Sequence, residues 1–315
     1  MKKNINILTT TRCNLQCKHC LREHGGLKEN KDLPLNLLMK ALREGQTLGY
    51  NHVCFTGGEP YLHPRFDALV ALVVEKGYNW SVITNGWLAQ RYEPSLRRYG
   101  ENCTLVSVSL DGLEDTHDAV RAPGSFVRAL QALEFFKGLG MKISVSVNLN
   151  ALNYHQLPDM LELAVLKQVE QITIGSVIPN DSNCYLLITE GQKEAAYTFL
   201  KEAEETLPTR LRLCTSLHSV EDPEKFCGNL DYPGATINAY GEYIFCCDTI
   251  GRGAVVGNLR TQSLTDLYIY QIKLGARLKE LRRKRIKKGQ LFAGFNSCNF
   301  CNTMLELLPE GRKIK

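Results

Sequence analysis

Through the first 180 residues, short β-branched runs alternate with longer stretches whose apolar residues recur at helical spacing. The runs Asn4–Leu8, His52–Phe55, Trp80–Ile83, Thr104–Ser109, Lys142–Asn148 and Gln171–Gly175 read as strands. Leu35–Leu48, Phe66–Lys76, Ser125–Leu139 and Leu157–Leu166 read as the helices between them, and Pro94 interrupts the stretch after the third strand. Strict alternation of strand and helix predicts right-handed βαβ units on a parallel sheet, either open and doubly wound or an incomplete barrel. A mixed-charge helix is expected over Glu190–Glu205. Beyond it, Cys214–Gly257 has the short alternating pieces of a small β-hairpin unit, Leu264–Lys287 reads as a long helix, and Ser297–Leu308 closes the chain. A core over 1–190, a bridging region over 191–226 and an appendage over 227–315 follow.

The unusual composition is 12 cysteines in 315 residues. No secretory signal follows Lys2 and Lys3, and the longest apolar run, Ala68 to Val74, is far below a membrane span, so a cytoplasmic protein without membrane insertion is expected. Thiols in that setting point to metal binding or chemistry rather than to a disulfide framework. The net charge of +5 is too mild to argue for nucleic acid by itself.

Cys13, Cys17 and Cys20 stand within eight residues, directly past the first strand. Structural zinc and iron–sulfur cubanes both take four protein ligands as a rule, so three thiols leave one metal position open for chemistry. The spacing resembles the signature of radical S-adenosylmethionine (radical SAM) enzymes. So do Thr56-Gly57-Gly58-Glu59-Pro60, Thr84-Asn85-Gly86, Ser109-Leu110-Asp111-Gly112 with His117, Asp118 and Arg121, and Asn148, each at the C-terminal end of a predicted strand. Catalytic loops of barrel-like parallel sheets collect at that end.

The resemblance implies an incomplete (β/α)6 TIM-like barrel. It also implies that Cys13, Cys17 and Cys20 hold a [4Fe–4S] cluster whose fourth iron is chelated by SAM. Gly57, Gly58, Glu59, Pro60, Asn85, Ser109, Asp111, Arg121 and Asn148 are then cofactor-binding. One-electron reduction would split SAM into methionine and a 5′-deoxyadenosyl radical that abstracts hydrogen from substrate. His19 would pack over the cluster, and residues touching substrate are expected among Tyr61, His117, Arg121 and the loops of the appendage.

In the appendage, Cys227, thirteen residues, Gly241, four residues and Cys246 resemble the opening of the auxiliary-cluster (SPASM) domain. With Cys298 and Cys301 they would hold one auxiliary [4Fe–4S] cluster, as in the abbreviated twitch version; a four-thiolate zinc is the competing reading. Cys247, directly after a ligand, is either a hydrogen-atom donor or a buried thiol. Cys54 and Cys103 read as core, while Cys184 and Cys214 have no assigned role.

Arg277 to Lys288 concentrates the positive charge. It reads either as a solvated face or as a dock for an acidic electron donor such as flavodoxin or ferredoxin, or for an acidic peptide. Nucleic acid ranks last, because no aromatic residue interleaves the run. The expected activity is radical modification of a ribosomally made peptide, by epimerisation or cross-linking, although no leader-binding domain fits before Cys13. Dehydrogenation of a small alcohol or aminocyclitol is the alternative, and RNA modification a further one.

Overall fold

A computed structural model describes residues 3–21, 29–179, 183–214, 216–217, 227, 230, 234–246, 255–290 and 297–307. The six expected strands form: β1 (Asn4–Leu8), β2 (His52–Thr56), β3 (Asn79–Thr84), β4 (Cys103–Ser109), β5 (Ile143–Leu149) and β6 (Gln171–Ser176). They pair in chain order and all in parallel. Between them run α1 (Leu35–Thr47), α2 (Phe66–Glu75), α3 (Glu93–Tyr99), α4 (Glu114–Val120), α5 (Ser125–Gly138) and α6 (Leu157–Leu166). Pro94 sits in the first turn of α3, where its missing N–H costs nothing, so it starts that helix rather than breaking it.

One face of each strand lies under the helices. Ile5, Ile7, Val53, Phe55, Trp80 and Val82 are fully buried there. The helices pack close: a methyl on Gly45 of α1 would meet Ile5 Cδ1 and Tyr78 Oη, each at 2.9 Å. The opposite face carries mostly small polar side chains: Asn6, Cys54 and Ser81 lie in register across β1 to β3, Ser107 pairs with Ser144, and Ser109, Ser146 and Thr173 lie in register across β4 to β6.

The bridging region extends this core. After α7 (Glu190–Thr206), held by a reciprocal Thr189–Gln192 capping box, β7 (Arg210–Leu213) adds in parallel to β6. On β7, Leu211 is buried on the helix side, which turns Arg210 and Arg212 to the polar face. Burial raises the Cys54 pKa; a Ser81 hydrogen bond and the Arg212 charge oppose it. Five strand spacings separate β2 from β7, about 24 Å on a flat sheet. The Arg212 charge is felt at Cys54 because the sheet curls and brings its far edge back across the polar face, as in a partial barrel.

The C-terminal segment joins the same sheet. β8 (Ala235–Ile237) runs parallel to β1, and β9 (Glu242–Ile244) and β10 (Val255–Asn258) continue antiparallel, giving the order β10-β9-β8-β1-β2-β3-β4-β5-β6-β7. Gly241 makes the β8–β9 turn at φ 81°, a conformation that favours glycine. The long helix α8 (Leu264–Lys287) is bound to this hairpin through buried Gln271, which accepts from Tyr243 Oη at 2.5 Å and donates to the Phe245 carbonyl at 2.7 Å. The last helix is α9 (Ser297–Leu307). Among the described residues no helix is long and apolar enough to cross a membrane.

Among the described glycines the tightest backbone approach is at Gly58, where an added Cβ would overlap the Arg12 carbonyl. Gly58→Ala is therefore expected to cost more than about 3 kcal/mol in urea denaturation. Gly77→Ala, with open space around it at φ 75°, is expected to cost about 1–2 kcal/mol from conformation alone.

Candidate active site

The cysteine loop is held by backbone on one side and by side chains on the other. The Gly58 N–H donates to the Thr10 carbonyl at 2.8 Å and the Glu59 N–H to the Arg12 carbonyl at 2.7 Å, so the loop after β2 runs against the loop after β1. Asp32 receives the Thr10 hydroxyl at 2.7 Å and the Arg12 guanidinium at 2.6 Å. Cys13, Cys17 and Cys20 follow, all half-buried. Asn85, after β3, donates to Asn14 Oδ1 at 2.9 Å and stands 4.0 Å from Cys13 Sγ; Arg121, after α4, stands 3.9 Å from Cys17 Sγ.

Burial pushes the Cys17 thiol up to about 12; Arg121 opposes the rise, and Cys20, Asp111 and Cys13 add to it. The three sulfurs thus lie within electrostatic range of one another. Among the described residues no group of three or more His, Cys, Asp or Glu side chains is drawn together tightly enough to hold a single metal ion. Thiolates on separate corners of a cubane stand farther apart than ligands of one ion.

Glu59 is 1% exposed, and its carboxylate accepts from Thr84 Oγ1 at 2.7 Å, the Asn85 N–H at 2.9 Å and the Tyr61 N–H at 3.4 Å. It therefore braces the loops after β2 and β3 against each other. Burial raises its pKa to about 7 against those three donors. Asp111 is a second buried brace, receiving the Arg121 Nε–H at 2.6 Å and the Asn148 N–H at 2.6 Å, with His19 Nε2 at 3.6 Å. Burial would raise the Asp111 pKa, but Arg121, His19 and His117 hold it below the ordinary carboxylate value. Burial pushes His19 and His117 down to about 4, so both are neutral at neutral pH. Neutral His117 accepts the Asp111 backbone N–H at Nδ1, at 2.9 Å, which occupies its ring in the fold.

Beside the cysteine loop lies a cavity of about 280 Å³, lined by Cys20, His19, Gly57, Gly58, Asn148 and Asn238 among others. Two polar atoms of that lining, Asn148 Oδ1 and His19 Nδ1, are buried with no hydrogen-bond partner among the described residues. A cavity with unsatisfied acceptors beside three thiols fits a polar, cationic cofactor at the cluster position. Ser109, 9% exposed, ends β4, and Pro60 is buried behind Glu59. Tyr61 is 2% exposed in a ring cluster with Phe66, Tyr92 and Phe136, so it belongs to the core and not to a substrate surface. Asn238 and Ala239, from the hairpin after β8, were not singled out in the sequence; only their position in a short Asn-Ala-Tyr-Gly turn marks them.

A model of the radical SAM superfamily matches residues 7–164, half of the chain and the whole of this loop system. The chain belongs to the radical SAM superfamily. It is therefore an enzyme that uses a [4Fe–4S] cluster and S-adenosylmethionine. It is 29% identical over 164 residues to the Fe-coproporphyrin III synthase of Methanosarcina barkeri, covering 52% of this chain and 41% of that one. It is 34% identical over 159 residues to the mycofactocin maturase MftC of Mycobacterium ulcerans, covering 49% and 42%. The chain thus spans about four-tenths of the length of these relatives. The fold reaches further: the structure of anSMEcpe with bound AdoMet and a Cp18Cys peptide superposes with a TM-score of 0.68 at 16% identity, over 97% of this chain and 96% of that one.

The cysteines after the core are only partly gathered. Burial pushes the Cys301 thiol up to about 12, Cys227 and Cys246 push it further, and Arg282 opposes them, so these four side chains share one neighbourhood. Cys298 is half-buried, one turn before Cys301 on α9, and Cys247 lies outside the described residues. The basic stretch is not uniformly solvated: Arg282 is 1% exposed, and the Arg285 guanidinium sits 6.0 Å from the Phe300 ring centroid.

Two outcomes test the buried braces. Arg121→Leu strands the Asp111 carboxylate and is expected to cost about 3–5 kcal/mol in denaturant melts. Glu59 has a folded pKa raised above its ordinary value, so its stabilising contribution is complete below about pH 4.5 and is lost as pH rises through about 7. Relative to Glu59→Gln, the wild type should lose stability across that window, with a slope approaching about 1.4 kcal/mol for each pH unit crossed.

Proposed function

We propose that this radical SAM enzyme modifies a peptide substrate, and that Cys227, Cys246, Cys298 and Cys301 hold one auxiliary [4Fe–4S] cluster. The observation that carries the second part is the shared neighbourhood of Cys301, Cys227 and Cys246, assembled from three separate segments of the chain. Peptide chemistry is supported by kinship in sequence with a mycofactocin maturase and in fold with an enzyme solved in complex with a peptide.

When bound, the reduced cluster and S-adenosylmethionine supply a carbon radical that takes hydrogen from an unactivated C–H bond. The chain's own residues position and shield that chemistry. Asn85 and Arg121 direct N–H groups toward the sulfurs of Cys13 and Cys17, which tunes cluster potential by local polarity. Glu59 and Asp111 spend their charges on the surrounding loops, which keeps those loops rigid around the cavity. Asn148 Oδ1 and the glycine pair present polar backbone and an open acceptor to the cofactor. Cys247, next to a proposed ligand, would return a hydrogen atom to the substrate radical if the outcome is epimerisation, and an acidic electron donor would dock on the basic end of α8.

Iron and sulfide analysis of anaerobically purified protein is expected to give about eight irons per chain, falling to about four when Cys227, Cys246 and Cys301 are replaced by Ala. A wild-type content of about four, unchanged by that replacement, would remove the auxiliary cluster. Turnover of a candidate peptide in deuterated water should label the product of an epimerase. Replacing Cys247 by Ala should stall that product after hydrogen abstraction.

A further inference from the structure

The curled sheet leaves a trough on its polar face, and the trough contains a cation that nothing described above employs. Ile83, on β3, pairs with Ser107 on this face and is 38% exposed, so solvent reaches the trough at β3. Arg212 stands on the far edge, beside Thr173 in register and on the same face as Cys54, near enough for its charge to act on that thiol. It is exposed, and among the described residues it forms no ion pair. Ser144, on the same face of β5, is fully buried with a hydroxyl that finds no partner among the described residues. A guanidinium fork has the planar donor geometry that pairs bidentately with a carboxylate, and hydroxyls around it complete the acceptor's remaining positions.

We propose that Arg212 captures a carboxylate of the substrate in this trough and so selects which carbon reaches the radical site. The carboxylate comes from an acidic side chain or from a free α-carboxyl group. The capture site itself needs only the trough; its use in choosing a residue of a peptide rests on the function proposed above.

The test is calorimetric titration of the cluster- and SAM-loaded protein with four probes. N-acetylglutamate N-methylamide carries a side-chain carboxylate, N-acetylalanine a terminal one, N-acetylglutamine N-methylamide none, and glutarate a carboxylate without a peptide bond. At least one acid is expected to bind tenfold or more tightly than the glutamine amide, and which acid does so identifies the source. Arg212→Gln should abolish that preference, and Arg212→Lys should retain part of it, with both variants melting like the wild type. Equal binding of acid and amide by the wild type overturns the proposal, as does a preference that survives in Arg212→Gln. If Arg212→Gln does not fold, an Arg212→Lys variant with undiminished preference overturns it equally. Glutarate binding as tightly as the glutamate derivative, and depending on Arg212, upholds the carboxylate site while counting against a peptide substrate.

Discussion

The cysteine loop has a shape because two backbones run against each other with no side chain between them. Gly58 and Glu59 donate to the Thr10 and Arg12 carbonyls, and at Gly57, with φ 135°, and Gly58 there is no room for a Cβ. Hydrogen bonds between main chains are short and directional, so the three sulfurs inherit their positions from β1 and β2 rather than from their own side-chain rotamers. The cofactor end of the core is registered to that contact: the cavity opens beside it, and Glu59, the next residue, carries the same alignment to the loop after β3.

Around this contact the protein places buried charge sparingly and always in pairs or fans of donors. Asp111 is shared among a guanidinium, a backbone amide and an imidazole, and Glu59 among a hydroxyl and two amides. An isolated carboxylate at either place would be costly to bury, whereas these are embedded in donors that fix the loops carrying them. The two carboxylates that the family resemblance assigns to the cofactor thus also serve as joints of the frame that receives it.

Much of the architecture was legible in the chain. The six strands fall within a residue or so of the β-branched runs because each is buried under helices on one face, and that burial is what writes the pattern. Where the pattern is faint, it was missed. β7 is only Arg-Leu-Arg-Leu, and two arginines on a trough look like surface loop. Pro94 read as an interruption because the sequence does not say which turn of a helix it will occupy. The union of β8 with β1 joins residues some 230 positions apart, beyond any local signal. In the site, the thiol spacing and the Gly-Gly pair announced themselves, while Asn238 is brought to the cavity by that same distant pairing. Tyr61 misled because it follows the loop residues directly, yet its ring fills an aromatic cluster.

The parallel seam between β1 and β8 has a consequence for how the molecule is assembled. β1 begins the chain's sheet but is not a border of it: its outer amides and carbonyls are claimed by a strand made much later. Until that strand is synthesised, the cysteine loop hangs from an unprotected margin able to recruit a neighbouring polypeptide, so the distal part of the chain acts as the guard against self-association of its own amino-terminal half.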